Sequence, residues 1–476
     1  MSKPEYDLCV IGAGSAGLVA AAGAAAIGAK VVLVEKHKMG GDCLNYGCVP
    51  SKALLHSAKV AQTLRSAAAA GIDAHLPEID LARVMQRVRS VIQTIEPHDS
   101  PERFRSLGVE VIFGAGKFTG PQGFEVNGRT LSARKYIIAT GSRPAVPDIP
   151  GLNSVPYLTN ETIFDLAESI PRLIVLGSGP IGVELAQAFT RLGSQVLLVD
   201  FQQRILKNED QELAAVVEAR LRHEGAALHL GATPLRFEGE AGRIRLLIKT
   251  TDGMEQWLEG SHLLVAAGRR ANIENLGLAA AGVQVSNGRI VTDKRLRTAN
   301  SDIYACGDVV GPYQFTHMAE HHAGIALRGA LFHLPAGIEE HVIPWCTFSD
   351  PELARVGLSE TEAKAQGISY QAYTFPFKEI DRAITDGETA GLAKILVAPN
   401  GKLLGAAIVG PNAGELIHEY VLALAKNMKV SDLASMIHIY PTLAQINRQV
   451  ANQQFKSRLT PTARRWIKFL FKLRGG

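Results

Sequence analysis

Two glycine-rich segments repeat one pattern at one spacing, and that repetition restricts the fold more than any other feature. Leu8-Cys9-Val10-Ile11 reads as a buried strand. Gly12-Ala13-Gly14-Ser15-Ala16-Gly17 follows, then an Ala-rich helix, then a second strand, Val31–Val34, ending at Glu35. The unit returns as Leu173–Leu176, Gly177-Ser178-Gly179-Pro180-Ile181-Gly182, a helix, and Val196–Val199 ending at Asp200. From first glycine to acid is 23 positions in both copies. Such glycines allow a tight turn and close approach of backbone to a pyrophosphate, which the helix N-terminus attracts. The acid at the second strand's end accepts ribose hydroxyls. A lone GxGxxG is weak evidence; two in full strand–turn–helix–strand–acid context predict two dinucleotide sites. Asp200 favours NAD(H) over NADP(H), because a carboxylate repels a 2′-phosphate. Arg204 is the one nearby residue that argues the other way.

Between the two units lies Gly40-Gly41-Asp42-Cys43-Leu44-Asn45-Tyr46-Gly47-Cys48-Val49-Pro50-Ser51-Lys52. In a regular helix Cα atoms five residues apart are roughly 8–9 Å apart. A disulfide needs about 4.4–6.8 Å. The segment must therefore leave helical geometry if the two sulfurs bond, and Gly47 supplies backbone freedom. A bridge in so bent a segment is labile, which suits redox work better than structure. Lys52, four residues after Cys48, shares its helix face and favours a thiolate there. The other cysteines carry less: Cys9 reads as a small hydrophobe in a strand, and Cys306 and Cys346 are weaker candidates for redox work.

Composition narrows the class. Net charge is +4 over 476 residues, which argues against nucleic-acid binding. Five cysteines are too few, and odd in number, for a secreted disulfide framework. The apolar run begins at once, without a basic region and cleavage site, so no signal peptide is expected. Leu8 to Ala29 is apolar enough to suggest a membrane span, but its glycines fit the nucleotide turn better. A cytoplasmic protein is expected.

Over nearly its whole length the chain resembles class I pyridine nucleotide–disulfide oxidoreductases, most closely the mercuric-reductase-like and dihydrolipoamide-dehydrogenase-like bacterial flavoproteins. The cysteine segment and both fingerprints carry the resemblance. So do Ile138-Ala139-Thr140-Gly141-Ser142-Arg143-Pro144, Ala267-Gly268-Arg269-Arg270-Ala271-Asn272, Tyr304-Ala305-Cys306-Gly307-Asp308, Asp350–Gly357 and Asp381–Ile384. It implies an α/β fold with two Rossmann-like domains and a C-terminal α+β dimerisation domain. The expected division is 1–150 with 272–343 for FAD, 151–271 for NAD(P)H, 344–455 for the dimer, and a basic tail, 456–476. It further implies that FAD is held through Gly12, Gly14, Gly17, Glu35, Gly41, Thr140, Gly141, Gly307 and Asp308. Gly177, Gly179, Gly182 and Asp200 would serve the second nucleotide, and Gly268 and Arg269 would also bind cofactor. Catalysis would fall to Cys43 and Cys48 as a redox disulfide, Cys48 against the flavin and Cys43 toward substrate. Lys52 would pair with Glu184 beside the nicotinamide. No metal site is expected. The implied activity passes electrons from NADH through FAD and the disulfide to a small disulfide, soft electrophile or metal ion. A dihydrolipoamide dehydrogenase proper, a redox sensor and a cysteine-independent NADH oxidase are the alternatives.

The chain departs from the family at its acid–base element. Where many members carry His-Pro followed by Glu, it has Tyr440-Pro441 and Gln445. A phenol with pKa about 10 is a poor base near neutrality, whereas an imidazole near 6.5 is well matched. Tyr440 remains a candidate catalytic residue through hydrogen bonding; His438, two residues upstream, is either a substitute or a packed histidine.

After Gln454 come seven Lys/Arg (Lys456, Arg458, Arg464, Arg465, Lys468, Lys472, Arg474) and no acid; without them the net charge falls from +4 to −3. From Thr460 to Leu473 the spacing predicts an amphipathic helix. Trp466, Ile467, Phe469, Leu470, Phe471 and Leu473 fill one face, with Arg464, Arg465, Lys468 and Lys472 opposite, and Arg474 off-pattern. Peripheral membrane contact through 460–474 is expected, the alternative being packing on the protein's own body.

Overall fold

The computed structural model describes residues 4–75, 78–332, 334, 337–458 and 460–473. Its first sheet is parallel, in the order Ile303–Ala305, Ala133–Ile138, Tyr6–Ile11, Val31–Glu35, Glu110–Phe113. These strands are continuous apolar runs because both faces of the sheet are covered. Leu8, Val10 and Leu33 are fully buried, each contributing about 1.5–3 kcal/mol of transfer free energy. One covering helix is Ser15–Ala26, which packs against Thr316–Phe332. Small residues set that spacing: a Cβ on Gly23 would meet Leu327 Cδ1 at 2.9 Å. The strand Ile303–Ala305 returns to this sheet after the whole second unit, so the first unit is discontinuous in sequence.

The second sheet, also parallel, runs Ala227–Leu230, Gln195–Asp200, Arg172–Leu176, His262–Val265. The third is antiparallel: Pro344–Thr347, Glu352–Gly357, Leu403–Gly410, Leu392–Val397, Gln371–Pro376. Its core closes around Phe377, Ile395, Ile408 and Tyr420.

The second and third units join through buried charge. Arg191, at the end of the helix Pro180–Arg191, meets Glu224 at 2.6 Å and Asp350 at 2.9 Å. Lys394 sits among Asp210 (2.8 Å), Glu360 (3.0 Å) and Glu212. Those three carboxylates lie close enough together to be metal ligands, and the Lys394 ammonium contacts all three. No helix among the described residues is long and apolar enough to cross a membrane.

Candidate active site

Both fingerprints build the same structure. At each first glycine φ is positive (Gly12 +102°, Gly177 +111°), and an added Cβ would strike a backbone oxygen at 2.4 Å, Ala139 O and Ala266 O respectively. The third glycines, Gly17 and Gly182, lie against the carbonyls of Gly12 and Gly177, so they pack the turn and do not line the cleft. The acids secure the loops. Glu35 accepts the backbone N–H of Ala13 at 2.7 Å and of His37 at 2.8 Å. Asp200 accepts the N–H and hydroxyl of Ser178, both at 2.7 Å, and the N–H of Gln202 at 2.9 Å. The helices that follow begin at Gly14 and Gly179, and neither start is capped by a side chain. The first-turn N–H groups at these two starts (Pro180 itself has none) are left without a side-chain acceptor, as pyrophosphate binding requires.

One cleft of about 2530 Å³ joins these two turns. Gly12, Gly14, Glu35, Gly41, Thr140, Gly141, Gly307 and Asp308 line one end and Gly177, Gly179 and Asp200 the other; Gly268 and Arg269 also line the cleft, Arg269 reaching Asp42 and Ser142 on the first side. Gly41 has φ +57°, and a Cβ there would meet Gly14 Cα at 2.6 Å. The cysteine segment thus lies directly on the first nucleotide loop. These features, two uncapped helix starts and glycine contacts that keep the floor open, fit a dinucleotide at each end.

Cys43 and Cys48 stand at the junction. A helix spans Gly41–Asn45, breaks at Tyr46 and Gly47, and a second begins at Cys48. The break supplies the departure from regular helix that the spacing demanded. Both residues are thiols here and hydrogen-bond to each other. The pair is electrically asymmetric. The hydrogen bond to Cys48 and burial push the Cys43 thiol well up. The bond from Cys43 lowers Cys48 to about 6 against the penalty of burial, with help from the Thr316 hydroxyl at 3.2 Å and the Lys52 charge. Cys48 is the sulfur that the geometry prepares as a thiolate facing the cleft.

Lys52 Nζ lies 2.8 Å from Glu184 Oε2 and 4.4 Å above the Phe348 ring. Burial opposes its charge, but the Glu184 carboxylate outweighs burial and its pKa is raised. Glu184, nearly buried, also accepts the Phe348 N–H at 2.8 Å. Arg269 donates to Ser142 Oγ at 2.8 Å and lies 3.1 Å from Asp42; Ser142 donates to Asp308 at 2.5 Å. The three family-like segments therefore meet in one network beside Cys43. Arg204 donates to the carbonyls of Lys207 and Glu209 and lies off the cleft lining.

Two participants, Thr316 and His322, escaped the sequence reading. Thr316 precedes no recognisable signal. Cys346 lines the cleft near Lys52 and Glu184, its thiol pushed up by burial. His322 is buried, and its Nδ1 accepts the N–H of Gly307, steadying the turn that carries Asp308. Cys9 and Cys306 are buried, the latter raised to about 12 by burial.

Tyr440 is not brought to the cysteines of its own subunit. It is 66% exposed and donates to Asp381 at 3.1 Å, which with the neighbouring charge raises its pKa. His438 is packed: its Nε2 lies 3.1 Å from Glu419 inside its own domain. Gln445 opens the helix Gln445–Arg458.

Two dinucleotide units, a thiol pair at their junction and a third, antiparallel unit define a dithiol flavoprotein oxidoreductase. The comparisons agree. Residues 6–323 match the pyridine nucleotide-disulphide oxidoreductase family and 343–450 its dimerisation domain, and the chain belongs to that family. It is 36% identical to a mercuric reductase of Bacillus cereus over 443 residues, 93% of this chain and 70% of that one. It is 38% identical to a dihydrolipoyl dehydrogenase of Thermus scotoductus over 453 residues, 92% and 95% of the two chains. The solved HOCl-induced flavoprotein disulfide reductase RclA of Escherichia coli, as its Cu(II) complex, superposes with TM-score 0.84 at 27% identity, covering 95% and 100%. LpdA of Mycobacterium tuberculosis gives 0.84 at 28%, covering 94% and 99%. The protein is a homodimeric FAD- and NAD(P)H-dependent oxidoreductase with a cysteine pair placed for a redox-active disulfide.

Proposed function

We propose that this enzyme uses NADH to reduce a small disulfide or a soft electrophile or metal ion through Cys43 and Cys48. The observation that carries this reading is the placement of Cys43 and Cys48 at the junction of the two nucleotide turns, with the Thr316 hydroxyl 3.2 Å from Cys48 and the Lys52–Glu184 pair lining the same cleft. NADH over NADPH is favoured because Asp200 occupies the ribose end of the second turn and Arg204 is tied to backbone carbonyls. The 1–150 and 272–343 segments would hold FAD, 151–271 the nicotinamide nucleotide and 344–455 the dimer contact.

Bound in the first half of the cleft, FAD supplies two-electron exchange between the nicotinamide and the Cys48 sulfur. The chain's residues do the rest. Lys52 and Thr316 stabilise the negative charge that Cys48 gains when the S–S bond to Cys43 breaks. Glu184 orients Lys52 and lines the nicotinamide side. Cys43 then bonds to a substrate sulfur as the substrate's own S–S bond breaks, and its thiol proton passes to the leaving thiolate. Cys48 displaces the product and restores the Cys43–Cys48 bond. A soft metal ion such as Hg(II) would instead be ligated by both sulfurs with loss of the Cys43 proton, and would leave reduced by two electrons as the Cys43–Cys48 bond re-forms.

Tyr440 and Gln445 favour the soft-electrophile branch over dihydrolipoamide dehydrogenation, since the phenol is a weak base at neutral pH. Tyr440 would then serve the partner subunit's site as a hydrogen-bond donor. The Cu(II) complex of the RclA relative and the mercuric reductase relatives support the same branch. We place the dimer in the cytoplasm, with its tail in peripheral membrane contact.

The test is anaerobic NADH oxidation with oxidised lipoamide, glutathione disulfide, Hg(II), Cu(II) and hypothiocyanite in turn. Turnover with one acceptor that disappears in Cys43→Ser and Cys48→Ser supports the reading. Equal NADH oxidation by all three proteins would instead select the cysteine-independent oxidase.

A further inference from the structure

The helix Pro461–Leu473 opens on a local signal: Thr460 Oγ1 accepts the N–H of Ala463 at 3.2 Å, and Pro461 follows at the first helical position. From Arg464 to Phe471 every side chain is exposed, so the helix does not pack on its own chain. Trp466 is 63% and Phe471 67% exposed. Trp466 and Phe469 meet edge to face at 6.0 Å and form one aromatic ridge with Leu470 beside it. Arg464, Arg465 and Lys468 occupy the opposite face. Lys472 belongs to that face by spacing; Arg474 lies outside the described residues.

We infer that this helix is an interfacial anchor for an anionic lipid bilayer, and that the homodimer binds through two copies of it. The inference rests on the reading of the tail as a membrane contact and is independent of the electron acceptor. Three observations choose the occupant. First, the apolar face is rich in Trp and Phe, which settle at the headgroup level of a bilayer. Second, positions 455–476 hold seven cations and no acid, while the rest of the chain carries a net −3. Attraction to an anionic surface must therefore come from the tail, and it must overcome the body's own repulsion. Third, thirteen residues reach only about 20 Å, too short to span about 30 Å of hydrocarbon, and the basic face also requires the helix to lie flat. A single short helix holds weakly; a homodimer carries two copies, and a dimer that presents both to one surface would bind the second at high effective concentration.

Sedimentation of the full-length, FAD-loaded dimer with vesicles tests this, using phosphatidylcholine alone and phosphatidylcholine with phosphatidylglycerol. Binding is expected only with the anionic vesicles, falling at least tenfold between low salt and 0.5 M salt. Brominated lipids should quench fluorescence in the wild type but much less in Trp466→Phe, which keeps the apolar face. The triple variant Trp466→Ser, Phe469→Ser, Phe471→Ser should lose binding yet keep its dimer and its NADH oxidation rate. The inference is overturned if the wild type stays in the supernatant, or if the triple variant sediments as well as the wild type. It is also overturned if the triple variant falls apart to monomers, since the helix would then be packed on the partner subunit.

Discussion

Lys52 Nζ and Glu184 Oε2 are 2.8 Å apart although 132 positions separate them in sequence, and the pair bridges the two nucleotide units beside Cys48. The ammonium is held where it stabilises a thiolate, and the carboxylate that holds it lines the same cleft. Charge at the sulfur is therefore set by residues from both units.

The hydrogen bond from Cys43 first, then the Thr316 hydroxyl and the Lys52 charge, predict the titration of Cys48. Its pKa is below the ordinary thiol value, so the thiolate is present above about pH 6 and is lost as pH falls through that value. Alkylation of Cys48 in the reduced protein should rise through about pH 6 and level off above it. In Thr316→Val and Lys52→Met the midpoint should move up toward the ordinary value of about 8.5. Iodoacetamide labelling followed by mass spectrometry across pH reads this directly; unchanged midpoints in both variants would refute the assignment.

His322 predicts a second pH dependence. Burial lowers its pKa to about 4, so the native state holds the neutral ring, while the unfolded chain takes up a proton near 6.5. Its stabilising contribution is complete above about pH 6.5 and is lost as pH falls toward 4, amounting to roughly 3 kcal/mol. His322→Gln retains an acceptor for the Gly307 N–H and should flatten urea-unfolding stability across that range. An equally steep decline in the variant would show that another group is responsible.

The acid–base departure is testable by restoring the common residues. Tyr440→His with Gln445→Glu should raise lipoamide-linked turnover roughly tenfold or more, as a matched imidazole adds general acid–base catalysis. Steady-state kinetics on lipoamide and on a soft metal ion distinguish the branches. Wild-type lipoamide turnover that the double variant fails to improve would count against the role given to the phenol.

Arg191 predicts a stability cost without direct loss of chemistry. It is buried with Glu224, and Arg191→Met leaves that carboxylate only the longer contact to Arg220 at 3.8 Å. Such a break costs about 3–5 kcal/mol, and adding Glu224→Gln should recover part of it. Thermal melts of the single and double variants measure this; identical melting temperatures for wild type and Arg191→Met would show the pair is not structural glue.

Some of this was readable in one dimension. The nucleotide turns, the acids that close them and the thiol pair depend on backbone conformation over a few residues, so spacing alone exposes them. Gly12 and Gly177 are glycine because each turn presses on a carbonyl, and the broken helix between Cys43 and Cys48 follows from the reach of a sulfur–sulfur bond. The amphipathic tail is likewise local, being a matter of 100° per residue. Resemblance, and not spacing, paired Lys52 with Glu184.

Other features only the tertiary structure decided. Thr316 reaches Cys48 across 268 positions, Arg269 reaches Asp42, and His322 reaches Gly307 only because one helix folds back over the first sheet. It also showed His438 to be packed and Tyr440 to face outward. Distances between remote side chains come from the closing of three separate sheets on one cleft, and a pattern of residue types along a chain contains no such distances. Local conformation is written in neighbouring residues; the electrostatics of a site are a sum over whatever the fold brings within a few ångströms.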